Sequence, residues 1–269
     1  MSNATTLRAA GMAMRLLLAT VAFAPLSALA QDTPACNAPT ETLNLEHTPE
    51  LLRQRIIQGK PIKIVAIGSS STFGSGASSS MMSYPSRLEA ELKAQLRGLP
   101  VTVLNKGIGG EEAKQMVERF QHDVLDEAPD LVIWQVGSNS VLRDHPAPGE
   151  VIRQGVEQLK ASGADVILMN PQYAPKIIAK PDIDQAVDVI TATARDAEVG
   201  LFNRFMLMRA WIETDKLAFE TFLSPDMLHL NDWSYGCIAK TLAAAILEGT
   251  SLPAATAIAP PRPPSVEHR

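Results

Sequence analysis

The chain has 269 residues, 46% hydrophobic and 20% charged, with 24 Lys and Arg against 29 Asp and Glu for a net charge of −5. A mildly acidic chain without Lys/Arg clusters argues against nucleic acid or an anionic membrane surface as a partner. At this length one domain buries about 70% or more of its unfolded surface, so no second core is required.

Near the start, Arg8 and Arg15 precede an apolar run over 16–26, and Ala28-Leu29-Ala30 before Gln31 has the small-x-small form of a signal-peptidase site. The run is short for a membrane span. Residues 1–30 therefore read as a secretion signal for a periplasmic or secreted protein without stable membrane insertion; a buried N-terminal helix and a retained anchor are the competing readings. The two cysteines, Cys36 and Cys237, then share an oxidising compartment. There they either pair, stapling the start of the chain to its last helix, or stay unrelated thiols.

Residues 31–47, rich in Pro, Thr, Asn and Asp, form an extended lead-in to one domain over 48–250. Thr48 as N-cap and Pro49 at the first helical position open a helix carrying Leu51, Leu52, Ile56 and Ile57. A buried strand over 62–67 stops at Gly68 and is followed by Ser69, Ser70 and Ser71. An amphipathic helix spans 84–96, and a second strand over 101–104 runs into a turn from Asn105 to Gly110, with a helix from near Glu111. The third strand, over 131–136, ends at Gly137-Ser138-Asn139-Ser140. A helix over 151–161, a strand over 166–169 left by Asn170-Pro171-Gln172-Tyr173, and a helix over 183–197 come next. A short strand around 199–202, helical residues to about Trp211 and a final helix from Asn231 or Asp232 to about Leu247 complete the domain. The Pro- and Ala-rich tail over 251–269 is expected to be disordered.

Strands separated by helices of ten or more residues pair in parallel through right-handed crossovers, which predicts an α/β class with helices on both faces of one sheet. The small and polar residues at 68–72, 107–110 and 137–140 then meet on one sheet edge, where open α/β sheets bind ligands. One of the three serines is a candidate nucleophile. Acyl transfer from it needs a base, an orienting group and oxyanion donors. Asp226-Met227-Leu228-His229 offers a carboxylate three residues before an imidazole, and the N–H groups of Ser70 and Gly110 with the Asn139 amide are candidate donors. His47, His122, His145 and His268 lack a partner at useful spacing and are expected to be exposed, with Asp144-His145 as the one rival pair. A phosphate loop over 68–76 is the main competitor, but no Gly-Lys-Ser/Thr ending is present. No metal-ligand spacing is found. Tyr173 either lines the pocket as a substrate-binding residue or packs at the sheet edge.

Four blocks in this order, Gly68 to Thr72, Asn105 to Gly110, Gly137-Ser138-Asn139 and Asp226 to His229, resemble the SGNH (GDSL-like) hydrolase superfamily over most of the mature chain. The resemblance implies a flavodoxin-like three-layer α/β/α sandwich with a five-stranded parallel sheet, and ester hydrolysis without metal or organic cofactor. It implies Ser70 as nucleophile, His229 as base, Asp226 as its orienter, and Ser70, Gly110 and Asn139 as the oxyanion hole. Two acidic positions common in the family are Ser69 and Ser140 here, so loop support is expected from hydroxyl hydrogen bonds. The expected protein is a serine esterase acting on short-chain acyl esters of a small molecule or carbohydrate. An O-acyltransferase using the same site on a carbohydrate acceptor and a catalytically silent binding module are the alternatives. No stretch encodes the natural substrate or the oligomeric state.

Overall fold

The computed structural model describes residues 33–249; the expected secretion signal and the Pro- and Ala-rich tail lie outside the described residues. Contacts divide the chain after Ala35. Of the first unit, Thr33, Pro34 and Ala35 are described, without regular structure.

The second unit is built on five strands, β1 Ile62–Gly68, β2 Val101–Gly107, β3 Leu131–Gln135, β4 Asp165–Met169 and β5 Gly200–Phe202. All neighbours pair in parallel in the order β2-β1-β3-β4-β5. The helices are α1 Glu50–Ile57, α2 Ser70–Phe73, α3 Tyr84–Gln95, α4 Ala113–Glu118, α5 Phe120–Asp123, α6 Ser138–Leu142, α7 Gly149–Ala161, α8 Pro175–Ile178, α9 Ile183–Asp196, α10 Arg204–Glu213, α11 Phe219–Phe222 and α12 Asp232–Gly249. This is the three-layer α/β/α class.

The strands read as near-continuous apolar runs because both faces are covered, and their two-residue period divides the core in two. Ile64, Leu131, Ile133, Ile167 and Met169 pack with Leu88 and Leu92 of α3, Trp211 of α10 and Leu242 of α12. Their alternates Val65, Ile67, Val132, Trp134 and Leu168 pack with Met116 of α4, Val156 of α7 and Ile190 of α9. Each edge strand has one N–H met from outside the sheet: the Leu201 N–H donates to the Leu45 carbonyl at 3.1 Å, and the Val103 N–H to the Glu89 carboxylate at 2.8 Å. No helix among the described residues is long and apolar enough to cross a membrane.

Two local readings change. Thr48 does not cap α1: Pro49 occupies the cap position without a side-chain bond, and the Leu52 N–H is instead satisfied by Asp165 of β4 at 2.8 Å. A cap supplied from 113 residues away leaves no trace in local spacing. Strand β2 runs three residues past its expected end because β1 continues to Gly68 and pairs it with Gly107. A Cβ at Gly107 would lie 2.1 Å from the Phe73 nitrogen, so this glycine is what lets α2 sit against the sheet.

From β1 the chain crosses first to β2 on one side and later to β3 on the other. The order therefore reverses at β1, and the crevice beyond the carboxyl ends of β1 and β3 is the switch point where such sheets take ligands.

Cys36 and Cys237 are bonded, with Cα atoms 5.4 Å apart and a sequence separation of 201. The bond ties the lead-in to α12. A cross-link over so long a loop restricts the unfolded chain strongly, so the Cys36→Ser protein is expected to lose about 2–5 kcal/mol of unfolding free energy. Denaturant titration without reductant checks this, and an unchanged midpoint contradicts it.

Candidate active site

The abrupt end of β1 leads directly into the single-turn helix α2, whose first residue is Ser70. Of the three consecutive serines, Ser70 faces the imidazole, its Oγ lying 2.9 Å from His229 Nε2. Ser69 and Ser71 turn into the protein and are buried. Ser69 Oγ donates to Gln135 Oε1 at 2.9 Å, and Ser71 Oγ accepts from the Arg204 guanidinium at 2.9 Å.

The loop before α12 holds His229. Leu223 and Leu230 form an isolated antiparallel bridge, closing a tight turn in which Ser224 N–H donates to the His229 carbonyl at 2.8 Å. Inside this turn Asp226 Oδ1 accepts from the N–H of Leu228 at 3.0 Å and of His229 at 2.9 Å, and from Ser224 Oγ at 2.8 Å. Its other oxygen, Oδ2, lies 2.5 Å from His229 Nδ1. The three-residue spacing thus folds the carboxylate back on its own histidine. Asn231, not Asp226, caps α12, accepting from the Ser234 N–H at 3.2 Å.

The loop that follows α2 and the loop before α12 are locked together. A Cβ at Gly76 would lie 2.4 Å from the Leu230 carbonyl and 3.1 Å from His229 Cβ, so only glycine permits the approach. Tyr235 Oη donates to the Ser75 carbonyl at 2.8 Å, and Asp232 accepts from Ser78 N–H at 2.8 Å and Ser78 Oγ at 2.6 Å.

Gly109 passes close to Ser70: a Cβ added there would meet Ser70 Cβ at 3.9 Å. Asn139 Nδ2 donates to the Glu111 carbonyl at 2.8 Å, which uses one of its two amide hydrogens and leaves the other. Among the described residues, neither the Ser70 nor the Gly110 N–H has a protein acceptor. Ser140 Oγ donates to Glu112 Oε2 at 3.2 Å, so both positions that lack an acidic residue are held by hydroxyl hydrogen bonds.

Burial pushes the Asp226 carboxyl up, but the bonds from His229, Ser224 and Leu228 outweigh it and hold the group well below the usual carboxylate range. Glu112 behaves alike: partial burial works against bonds from His145, Arg143 and Ser140, which prevail and lower it. Burial lowers Arg204 to about 10, with the phenols of Tyr84 and Tyr235 working the other way.

The rival pair does not form. Asp144 bonds Lys180 Nζ at 2.7 Å, while His145 Nδ1 lies 3.0 Å from Glu112. His145 therefore has a partner, as does His122, 3.2 Å from Asp126 four residues on. Tyr173 packs edge-on to Phe205 with centroids 5.1 Å apart and stacks on Phe219 at 6.1 Å.

Four residues behind the site escaped sequence reasoning: Glu112, Gln135, Gln172 and Arg204. Gln135 was visible as a polar residue ending an apolar strand; Ser69 N–H and Oγ both bond its Oε1 at 2.9 Å. Arg204 gave no such sign.

An arylesterase of Vibrio mimicus is 30% identical over 128 residues, covering 46% of this chain and 62% of that protein. An acetylxylan esterase of Geobacillus stearothermophilus is 30% identical over 94 residues, covering 30% and 43%. This chain thus spans less than two thirds of the length of either. Among solved structures, a two-domain esterase active on acetylated mannans superposes with a TM-score of 0.70 at 20% identity, covering 80% of this chain and 58% of that one. Axe2, an acetylxylan esterase from Geobacillus stearothermophilus, does so with a TM-score of 0.57 at 22% identity, covering 73% and 97%. At these identities the likeness is one of fold. The model of the non-GDSL lipase-like family matches residues 35–252, nearly the whole domain, and the chain belongs to that family.

Proposed function

We propose that this protein is an exported serine esterase that cleaves short-chain acyl esters through an acyl-enzyme intermediate. The observation that carries the reading is the continuous relay from Ser70 Oγ through His229, at 2.9 Å, to Asp226, at 2.5 Å. Asp226 accepts a hydrogen bond from Nδ1–H, which leaves the Nε2 lone pair aimed at the serine. Ser70 Oγ attacks the ester carbonyl as Nε2 removes its proton, and the ionised Asp226 stabilises the imidazolium. The N–H groups of Ser70 and Gly110 and the free amide hydrogen of Asn139 receive the oxyanion. Collapse of the tetrahedral species expels the alcohol with the proton returned by His229; water, activated by the same nitrogen, then releases the acid.

The preference for a small acyl group, and for a carbohydrate as the alcohol, is supported by the acetylxylan and acetylated-mannan activities named for the similar proteins. Export is supported by the Cys36–Cys237 bond, which suits an oxidising compartment. Assay of p-nitrophenyl esters from acetate to decanoate, together with O-acetylated xylan and mannan, tests the proposal. The expected result is hydrolysis with kcat/KM highest for acetyl; a protein that cleaves none of these esters contradicts it.

A further inference from the structure

Arg204 breaks three ordinary preferences at once. Its side chain is fully buried, whereas arginine is almost never so unless paired. Among the described residues no carboxylate forms an ion pair with it. It also opens α10, where the helix dipole disfavours a cation. A residue kept against several local rules at once marks a functional constraint more often than a stabilising one.

Its three hydrogen bonds run to α2 and to the loop that leaves β4. Nη1–H donates to Ser71 Oγ at 2.9 Å, Nη2–H to Gln172 Oε1 at 3.1 Å, and Nε–H to the Asn170 carbonyl at 3.1 Å. The same Gln172 oxygen accepts from Ser138 Oγ at 2.7 Å. Ser71 follows Ser70 in the chain, and Ser138 precedes Asn139. One planar group therefore links the neighbours of two oxyanion donors that arrive on different strands.

We propose that Arg204 is a positioning residue for the oxyanion hole: through Ser71 on one side and Gln172 with Ser138 on the other, its guanidinium sets the spacing between the Ser70 N–H and the Asn139 amide. The inference rests on the esterase reading. It explains why a cation is tolerated in the interior: a rigid fork with fixed donor directions holds three acceptors in one plane, which the flexible ammonium of lysine does not reproduce. Oxyanion donors act only when they point at the place where charge develops, so a small displacement weakens the transition state and leaves substrate binding nearly intact.

The test compares Arg204→Lys, Arg204→Gln and Ser71→Ala with the parent on p-nitrophenyl acetate, after a fluorophosphonate titration counts the competent sites in each preparation. Expected are losses of about 30- to 100-fold in kcat per competent site for the two Arg204 variants and about 10-fold for Ser71→Ala, with KM within about twofold of the parent. A purely structural role lowers the number of competent sites and leaves kcat per site unchanged; that result overturns the proposal. If both Arg204 variants fail to fold, Ser71→Ala decides alone, since it keeps the cation and its bonds to Asn170 and Gln172. Its kcat per site within twofold of the parent also overturns the proposal. A parent that is neither active nor labelled removes the esterase reading itself, an outcome separate from the other two.

Discussion

The Ser70→Ala protein is expected to hydrolyse p-nitrophenyl acetate about 10⁵-fold more slowly than the parent in kcat, with a melting temperature within a few degrees of it. In the proposed mechanism, removing Oγ removes the atom that forms the acyl-enzyme, and it also removes one end of the 2.9 Å bond to His229. The residue sits at the start of α2, and among the described residues no side chain besides His229 bonds its hydroxyl, so the fold should survive. Ser69→Ala gives the contrast. That hydroxyl is buried against Gln135, and its loss is expected to cost activity far less than the loss of Ser70. A Ser70→Ala protein with more than a hundredth of the parent rate would place the nucleophile elsewhere.

The second large effect belongs to His229. His229→Ala is expected to lower kcat by a factor similar to Ser70→Ala, and the double variant to be no slower than either single one, because the two act as a unit. Asp226→Asn should cost about 10⁴-fold, since the amide neither fixes the Nδ1–H tautomer nor stabilises the imidazolium. The pH dependence follows from the direction of the Asp226 shift. Its folded carboxyl is depressed below the ordinary value of about 3.9, so its contribution is fully present above that pH and lost only as the pH falls through the lower folded value. Between about pH 5 and 8 Asp226 stays ionised. Asp226 is therefore expected to contribute no ionisation to kcat/KM in that window. An ionisation there that Asp226→Asn abolishes would contradict the arrangement.

Much of the fold was legible because the sheet is covered on both faces. Runs such as Ile64-Val65-Ala66-Ile67 and Leu131-Val132-Ile133-Trp134 announce buried parallel strands, and the helices between them leave few alternative topologies. The approximate placing of the site was legible for the same reason, since the ends of parallel strands must converge. What stayed hidden depends on distant partners. The true end of β2 is set by its pairing with β1, and the cap of α1 comes from Asp165. Arg204 lies in a stretch, Asn203-Arg204-Phe205, that looks like any exposed helix start. Only the folded chain puts its guanidinium under Ser71. Glu112 was likewise invisible as the anchor that gathers Ser140, Arg143 and His145, because those partners lie 28 to 33 residues further on.

The central claim is that a single hydroxyl, set opposite an imidazole at the edge of the sheet, carries the acyl group. Treating the parent with a fluorophosphonate and locating the adduct by mass spectrometry of the digested protein tests it most directly. The account predicts stoichiometric modification on Ser70, lost in Ser70→Ala and strongly slowed in His229→Ala. An unmodified parent, or an adduct on Ser69, Ser71 or any other residue, would contradict it.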